Sequence, residues 1–337
     1  MTDEYDAAVK DWNDALRQGH DVIKATDSEW ARGGNYRSGS PILRPFTLEE
    51  FLALDLKPRE PILDGLLYER GVNMFYAWRG VGKTWFGLEL GYTVATGGTF
   101  LKWEAKKARR VLHIDGEMPA ISLRDERLKP IIAAHKENLP DASYFRILPA
   151  DAFDLGLPNL ATQEGQQLVE QFLGDAEVIT FDNVSTLFAS GRENEAESWL
   201  PVQAWLLKLR RQGRAVCIVH HAGKGKEQRG TSRREDILDV VLNLRHPSDY
   251  EPSQGCRFEV HFEKARGLTG EATVPFEATL ESREGGAVWT TRNLEDAHLA
   301  EILELKKEGM SVRDIARELG MSKSAVQRAV NKGKSNL

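Results

Sequence analysis

The chain has 337 residues, 41% hydrophobic and 28% charged, with a formal net charge of −6. Its length points to one large domain with appendages or to two domains. Its ordinary composition points to a globular protein in water, and the net negative charge argues against a protein that coats nucleic acid.

No apolar run approaches the roughly 20 residues of a membrane span; "AVCIV" (215–219) is typical of the longest. The acidic start, "MTDEYDAAVKDWNDALRQGHD", lacks a signal-peptide core. The two cysteines, Cys217 and Cys256, lie far apart and show no metal-ligand spacing. Together these features predict a reducing cytoplasm and no membrane contact.

Residues 1–45 hold one helical pattern and then "RGGNYRSGSP", a stretch with linker composition. A domain is expected over 46–292, and a small separate unit over 293–337. In the larger segment, short β runs alternate with helical patterns. "GVNMFYA" (71–77), "RVLHID" (110–115), "YFRIL" (144–148), "EVITFD" (177–182) and "AVCIVH" (215–220) read as strands. They are near-continuous apolar runs, as expected where both faces of a parallel sheet are covered. Helices are predicted over 83–96, closing at Gly97-Gly98, and over 122–135, 162–173 and 199–211. The fold class is therefore α/β, a mostly parallel sheet flanked by helices. After His221 the texture shifts to shorter, alternating runs such as "ILDVVLNLRH", "CRFEVHFEKAR", "ATVPFEATL" and "AVWTTRN". These are expected to extend the sheet antiparallel.

"RGVGKTW" (79–85) follows a strand and opens a helix, the context that a phosphate-binding loop requires. Arg79, Gly80, Val81, Gly82, Lys83, Thr84 and Trp85 are the candidate nucleotide contacts. Gly80 and Gly82 let backbone N–H groups converge on phosphate oxygens. Lys83 supplies the cation, Thr84 a hydroxyl for Mg²⁺, and the helix N-terminus favours anions. Ala77 stands where the usual pattern has its first glycine; it ends the strand, where a methyl group can be accommodated. Asp182, after the apolar run "VITF", can hold the same Mg²⁺ through water, opposite Thr84. In "HIDGEMP", Glu117 is the preferred base for the attacking water and Asp115 the lesser candidate. Ligands of open α/β sheets bind at the carboxyl ends of strands, where both residues fall.

His220 and His221 end a further strand. His221 can hydrogen-bond a γ-phosphate or its water; a structural role or a metal remains an alternative for the pair. The loop after them interleaves glycines with Lys224, Lys226 and Arg229, which suits a nucleic-acid backbone, although a merely solvated charged loop has the same composition.

"SVRDIARELGMSKSAVQRAV" (311–330) has helix–turn–helix spacing. Ile315, Leu319, Met321 and Val326 would pack the helices, Ala316 would lie at their crossing, and Gly320 would make the turn. Ser322 would cap a second helix that carries Lys323, Ser324, Gln327 and Arg328 outward, a face able to enter a major groove. A small helical bundle for protein contacts is the alternative.

These motifs together resemble the RecA-like P-loop ATPases and, within them, the RepA-type plasmid replicative helicases of the AAA group. The resemblance rests on "RGVGKT", "HIDGEM", "ITFDNVSTL", "VHHAGKGKEQRGTS" and "FEKARGLTGE", over about residues 62–292. It implies a homo-oligomeric ring, commonly a hexamer, with ATP and Mg²⁺ at subunit interfaces and single-stranded DNA in the pore. By that similarity Arg266 would be a finger completing the neighbour's site and Lys264 its companion; a surface pair on an edge strand is the alternative. The helix–turn–helix, itself similar to resolvase- and sigma-type domains, is an addition that would target duplex DNA.

The leading expectation is an ATP hydrolase that works as a DNA-dependent motor, a helicase or translocase in replication of a plasmid, phage or mobile element. A second is an ATP-controlled DNA-binding regulator or loader without unwinding activity. A third, a small-molecule P-loop kinase, fits poorly with the extra strands, Arg266 and the C-terminal unit.

Overall fold

The computed structural model describes residues 45–189, 199–222, 236–284 and 286–335. The chain divides into two compact units, Met1–Pro58 and Arg59–Leu337. The described part of the first holds one short helix, Leu48–Leu52, whose first turn is closed by reciprocal hydrogen bonds between Thr47 and Glu50.

The second unit is built on one nine-stranded sheet. Its strands in chain order are β1 (Val72–Ala77), β2 (Val111–Asp115), β3 (Phe145–Pro149), β4 (Val178–Asp182), β5 (Ala215–His221), β6 (Val240–Arg245), β7 (Arg257–Ala265), β8 (Phe276–Arg283) and β9 (Gly286–Asn293). Across the sheet they run β9-β8-β7-β6-β1-β5-β4-β2-β3. The six from β6 to β3 in that order are mutually parallel, whereas β7, β8 and β9 add antiparallel. The first run after His221 therefore corrects the expectation: β6 pairs parallel with β1, Leu244 opposite Ala77. Its tail alternates in burial, but its first three residues are all buried, because it sits inside the sheet rather than at an edge.

Helix α1 (Lys83–Thr96) follows β1 and ends at Gly97, whose φ of 79° closes the helix in the left-handed region. Beneath it Phe86 makes edge contacts with Phe75 and Phe100 at 5.1 Å and with Phe258 at 6.2 Å, which fixes the start of the helix against the sheet. The helix predicted over 122–135 is broken in type. A π-helical turn, Leu123–Leu128, precedes α2 (Lys129–Ala134). Helices α3 (Gln163–Leu173) and α4 (Leu200–Arg211) cover the sheet as expected, α3 capped by Thr162. Two apolar cores lie on the two faces of the sheet. No helix among the described residues is long and apolar enough to cross a membrane.

The chain ends in three helices, α5 (Leu299–Lys307), α6 (Val312–Glu318) and α7 (Lys323–Ser335). They enclose their own small core of Ile302, Ile315, Ala316, Leu319, Val326, Ala329 and Val330, with Met321 packed against it. Gly320 takes a φ of 62° at the turn between α6 and α7, the role its position predicts. The architecture is thus a mostly parallel α/β sheet with antiparallel extension strands and a C-terminal helix–turn–helix unit.

Candidate nucleotide site

The site begins with a conflict that glycine resolves. Between the end of β1 and the start of α1 the backbone turns with φ of 81° at Gly80 and 115° at Gly82. Side chains rarely adopt such angles. Gly82 caps α1 and offers no side-chain cap, so the first N–H groups of α1 stay open toward the cleft. They form an anion-binding end. Ala77 is fully buried at the strand end, its methyl accommodated in the core. Lys83 is buried, its Nζ donating to the Trp78 carbonyl at 3.1 Å. Burial pulls its ammonium below the ordinary lysine range, and the charges of Asp182 and Glu117 oppose that pull.

Strand order brings the acids to this loop. β5 lies between β1 and β4, which sets His221 beside Ala77. Asp182 at the end of β4 is in register with Asp115 at the end of β2. The Asp115 carboxylate accepts from the backbone N–H of Glu117 at 3.0 Å and of Met118 at 2.8 Å. Asp115 is thereby turned inward and holds the bend that presents Glu117, half-exposed, at the cleft. There Glu117 Oε2 lies 3.2 Å from His221 Nε2 and accepts from Asn183 Nδ2, which itself is 3.1 Å from His221 Nε2. Burial and the Lys83 charge hold the His221 imidazole below its ordinary value, and the Glu117 charge opposes them. His220, one residue back, is fully buried.

Asp182 is buried, which pushes its carboxyl up to about 6. His113 and a hydrogen bond from Thr84 oppose the rise, and the charges of Asp115 and Glu117 add to it. Among the described residues, Asp182 Oδ2, Asp115 Oδ2 and both ring nitrogens of His113 are buried without a hydrogen-bond partner. Ligand atoms of His113, Asp115 and Asp182 lie within 4.8 Å of one another. A hard divalent cation held between Thr84 and Asp182 fits this arrangement, since it would meet an orphaned buried carboxylate oxygen beside a hydroxyl.

Lys83, Thr84, Glu117 and His221, with Gly80, Gly82 and Trp85, line one cleft of about 600 Å³. The far wall was not legible in the sequence. It consists of Arg127, whose guanidinium lies 4.8 Å from the Trp85 ring, and of Tyr250, Gly255 and Cys256 from the loop after β6. No motif marks Asn183, though its place directly after Asp182 is a usable signal. Tyr250 and Cys256 carried none, because only the insertion of β6 beside β1 brings them near.

Arg266 is not in this cleft. β7 runs antiparallel to β6 with Ala265 opposite Val240, so Lys264 and Arg266 lie at the end of the sheet away from Ala77, roughly 13 Å along the strand. Arg266 is exposed there, 3.6 Å from Asp239. Lys224, Lys226 and Arg229 lie outside the described residues. Ser322, just before α7, and Lys323, Ser324, Gln327 and Arg328 on it are all exposed. Ser322 Oγ caps the helix by accepting from Ala325 N at 3.1 Å, and Gln327 donates to Asn331 at 3.0 Å.

A family model described as an AAA domain matches residues 40–227, and one described as a homeodomain-like domain matches residues 295–332. No curated protein matches the chain. Among solved structures, a KaiC-like protein from the hyperthermophilic archaeon Pyrococcus horikoshii OT3 is similar at 17% identity and a TM-score of 0.47, over 68% of this chain and 93% of that one. The phosphate loop, its strand and the Asp182 strand all fall inside the first match, which spans more than half of the residues: the chain belongs to the AAA domain family.

Proposed function

We propose that the chain is an Mg²⁺-dependent ATP hydrolase whose turnover serves a task on DNA, as a RecA-like, RepA-type helicase or translocase. The observation that carries the reading is the convergence of Lys83, Thr84, Glu117 and His221 on one cleft beside Asp182, in a chain that also bears a helix–turn–helix with an exposed cationic face. Gly80, Gly82 and the N-terminus of α1 cradle the phosphates, and Lys83 reaches the β- and γ-phosphates. Glu117 Oε2 takes the proton of the attacking water as its oxygen bonds to the γ-phosphorus, and ADP leaves with the bridging oxygen. Asn183 and His221 hold that carboxylate in place. Mg²⁺ bound at Thr84 and Asp182 would neutralise charge on the β- and γ-phosphates.

Arg266 cannot reach its own cleft, which supports a role in a neighbour's site within a homo-oligomeric ring, by resemblance a hexamer. Such a residue supplied in trans is worth about 10³–10⁵ in rate. Single-stranded DNA in the ring pore and duplex DNA on α7 are the partners of this reading. The host element, plasmid or phage, rests on resemblance alone. A second reading, an ATP-controlled DNA-binding regulator or loader, is favoured by one observation: α5, the helix before the helix–turn–helix, is bonded through Glu301 to Ser248 of the loop that lines the cleft.

Turnover measured with and without single-stranded and duplex DNA separates the two. Many-fold stimulation by single strands supports the motor, and turnover indifferent to single strands refutes it. Glu117→Gln is expected to bind ATP but to lose turnover. Mixing Arg266→Ala with Glu117→Ala subunits is expected to restore part of the activity, and no restoration removes the finger in trans.

A further inference from the structure

The loop between β6 and β7, residues 246–256, touches two things at once. On one side Tyr250, Gly255 and Cys256 line the nucleotide cleft. Cys256 Sγ lies 3.7 Å from the Val81 carbonyl, and a Cβ added to Gly82 would come within 2.3 Å of that sulfur, so the loop is in van der Waals contact with the phosphate loop. On the other side Ser248 Oγ lies 3.0 Å from both carboxylate oxygens of Glu301 on α5, the first helix of the C-terminal unit. Two further contacts hold the unit near that bond. His298 Nε2 meets the buried Glu259 of β7 at 2.6 Å, and the Arg245 guanidinium lies 2.9 Å from where a Cβ on Gly320 would stand, at the turn that leads into α7.

The loop is braced by contacts among its own residues. His246 stacks on Tyr250 with ring centroids 3.5 Å apart, the Tyr250 hydroxyl donates to the Gly255 carbonyl at 2.9 Å, and Arg257 bonds Asp249 and Gln254. Ser248 is two residues from Tyr250. The geometry of the cleft says which end of a nucleotide meets this loop. Glu117, Asp182 and His221 sit on the β5 side of β1, whereas β6 lies on its other side. With the γ-phosphate toward the acids, the nucleoside extends toward Tyr250 and Cys256.

We propose that nucleotide binding in the cleft and duplex binding by the helix–turn–helix are coupled through this loop. The nucleoside displaces the 250–256 segment, the Ser248–Glu301 bond yields, and the unit is freed from a docked form in which Arg245 crowds the turn before the recognition helix. In this proposal the docked form, whose α7 face is exposed but whose preceding turn is held against Arg245, binds duplex less tightly than the freed one. This rests on the reading of the cleft as an ATP site and of α7 as a DNA helix. By linkage the duplex must strengthen nucleotide binding by the same factor.

The test is fluorescence anisotropy of a labelled 30-base-pair mixed-sequence duplex, with and without a non-hydrolysable ATP analogue and Mg²⁺. Alongside it, a fluorescent nucleotide is titrated onto wild type and Lys83→Ala. Wild type is expected to bind duplex at least about fivefold tighter with the analogue, the lower end of ordinary coupling. Glu301→Ala is expected to bind tightly without it and to respond to it little. Ser248→Ala, a surface hydroxyl removed, should change in the same direction if Glu301→Ala fails to fold. A wild type that binds both ligands indifferently to each other overturns the coupling and leaves both site readings standing. Failure to bind nucleotide in a Lys83-dependent manner, or to bind duplex, overturns those readings and the coupling with them.

Discussion

Replacing Asp182 with asparagine is expected to stabilise the fold while abolishing turnover. Asp182 is 1% exposed, and its carboxyl is raised from the ordinary 3.8 to about 6. Its folded state therefore holds a proton more tightly than the unfolded chain does, and ionising it inside the protein costs free energy. The cost is absent below pH 3.8, accumulates as the pH rises to about 6, and is constant above that. At about 1.4 kcal/mol per pH unit, the interval corresponds to about 3 kcal/mol. Asparagine keeps the acceptor for the Thr84 hydroxyl and removes the charge. Urea denaturation without nucleotide, with EDTA present, should show Asp182→Asn more stable by up to about 3 kcal/mol at pH 7.5, and by about half of that at pH 5. Adding ATP and Mg²⁺ should stabilise the wild type more than the variant, which keeps the phosphate loop but loses an Mg²⁺ contact. A variant no more stable than wild type at pH 7.5, or one whose advantage is the same at both pH values, refutes the reasoning.

Gly82→Ala places a methyl group 2.3 Å from Cys256 Sγ at a φ of 115°, and strain of about 1–3 kcal/mol should weaken nucleotide binding by roughly 5- to 150-fold. Adding Cys256→Ala relieves the overlap but not the dihedral, so a nucleotide titration should show only partial recovery. Ile315→Ala opens the small C-terminal core and should cost about 2–5 kcal/mol, melting that unit while leaving basal ATP turnover intact. The contact of His298 with Glu259 should be strongest between about pH 4.5 and 6.5. Burial alone would lower His298, but its bonds to Glu259 and Glu301 outweigh that and raise it; burial would likewise raise Glu259, but bonds from His261 and His298 outweigh that and lower it. The contribution is lost as pH rises through the folded value of His298, and hydrogen exchange in α5 should quicken there in wild type and change less in His298→Gln.

The central strands and α1 were legible because each carries its own local signal: buried apolar runs, and glycines where the backbone must turn left-handed. The residues that converge on the cleft were placed by strand ends: Asp182 and His221 close strands, and Glu117 stands two residues past the end of another. What stayed hidden depends on which strands become neighbours. "VVLNLR" alternates at its tail like an edge strand, yet it lies inside the sheet, parallel to β1, and so carries Tyr250 and Cys256 to the cleft. The π-helical turn at Leu123–Leu128 left no trace in the periodicity, although it belongs to the segment that carries Arg127 over Trp85.

That stacked pair has an optical consequence. Trp85 stands directly after Thr84 and lines the cleft with a positive charge 4.8 Å from its ring. The emission of an indole responds to the charge near it, and an incoming triphosphate would change that charge. Nucleotide occupancy is therefore expected to alter the emission of Trp85, one of the chain's eight tryptophans, beside the glycine-rich loop.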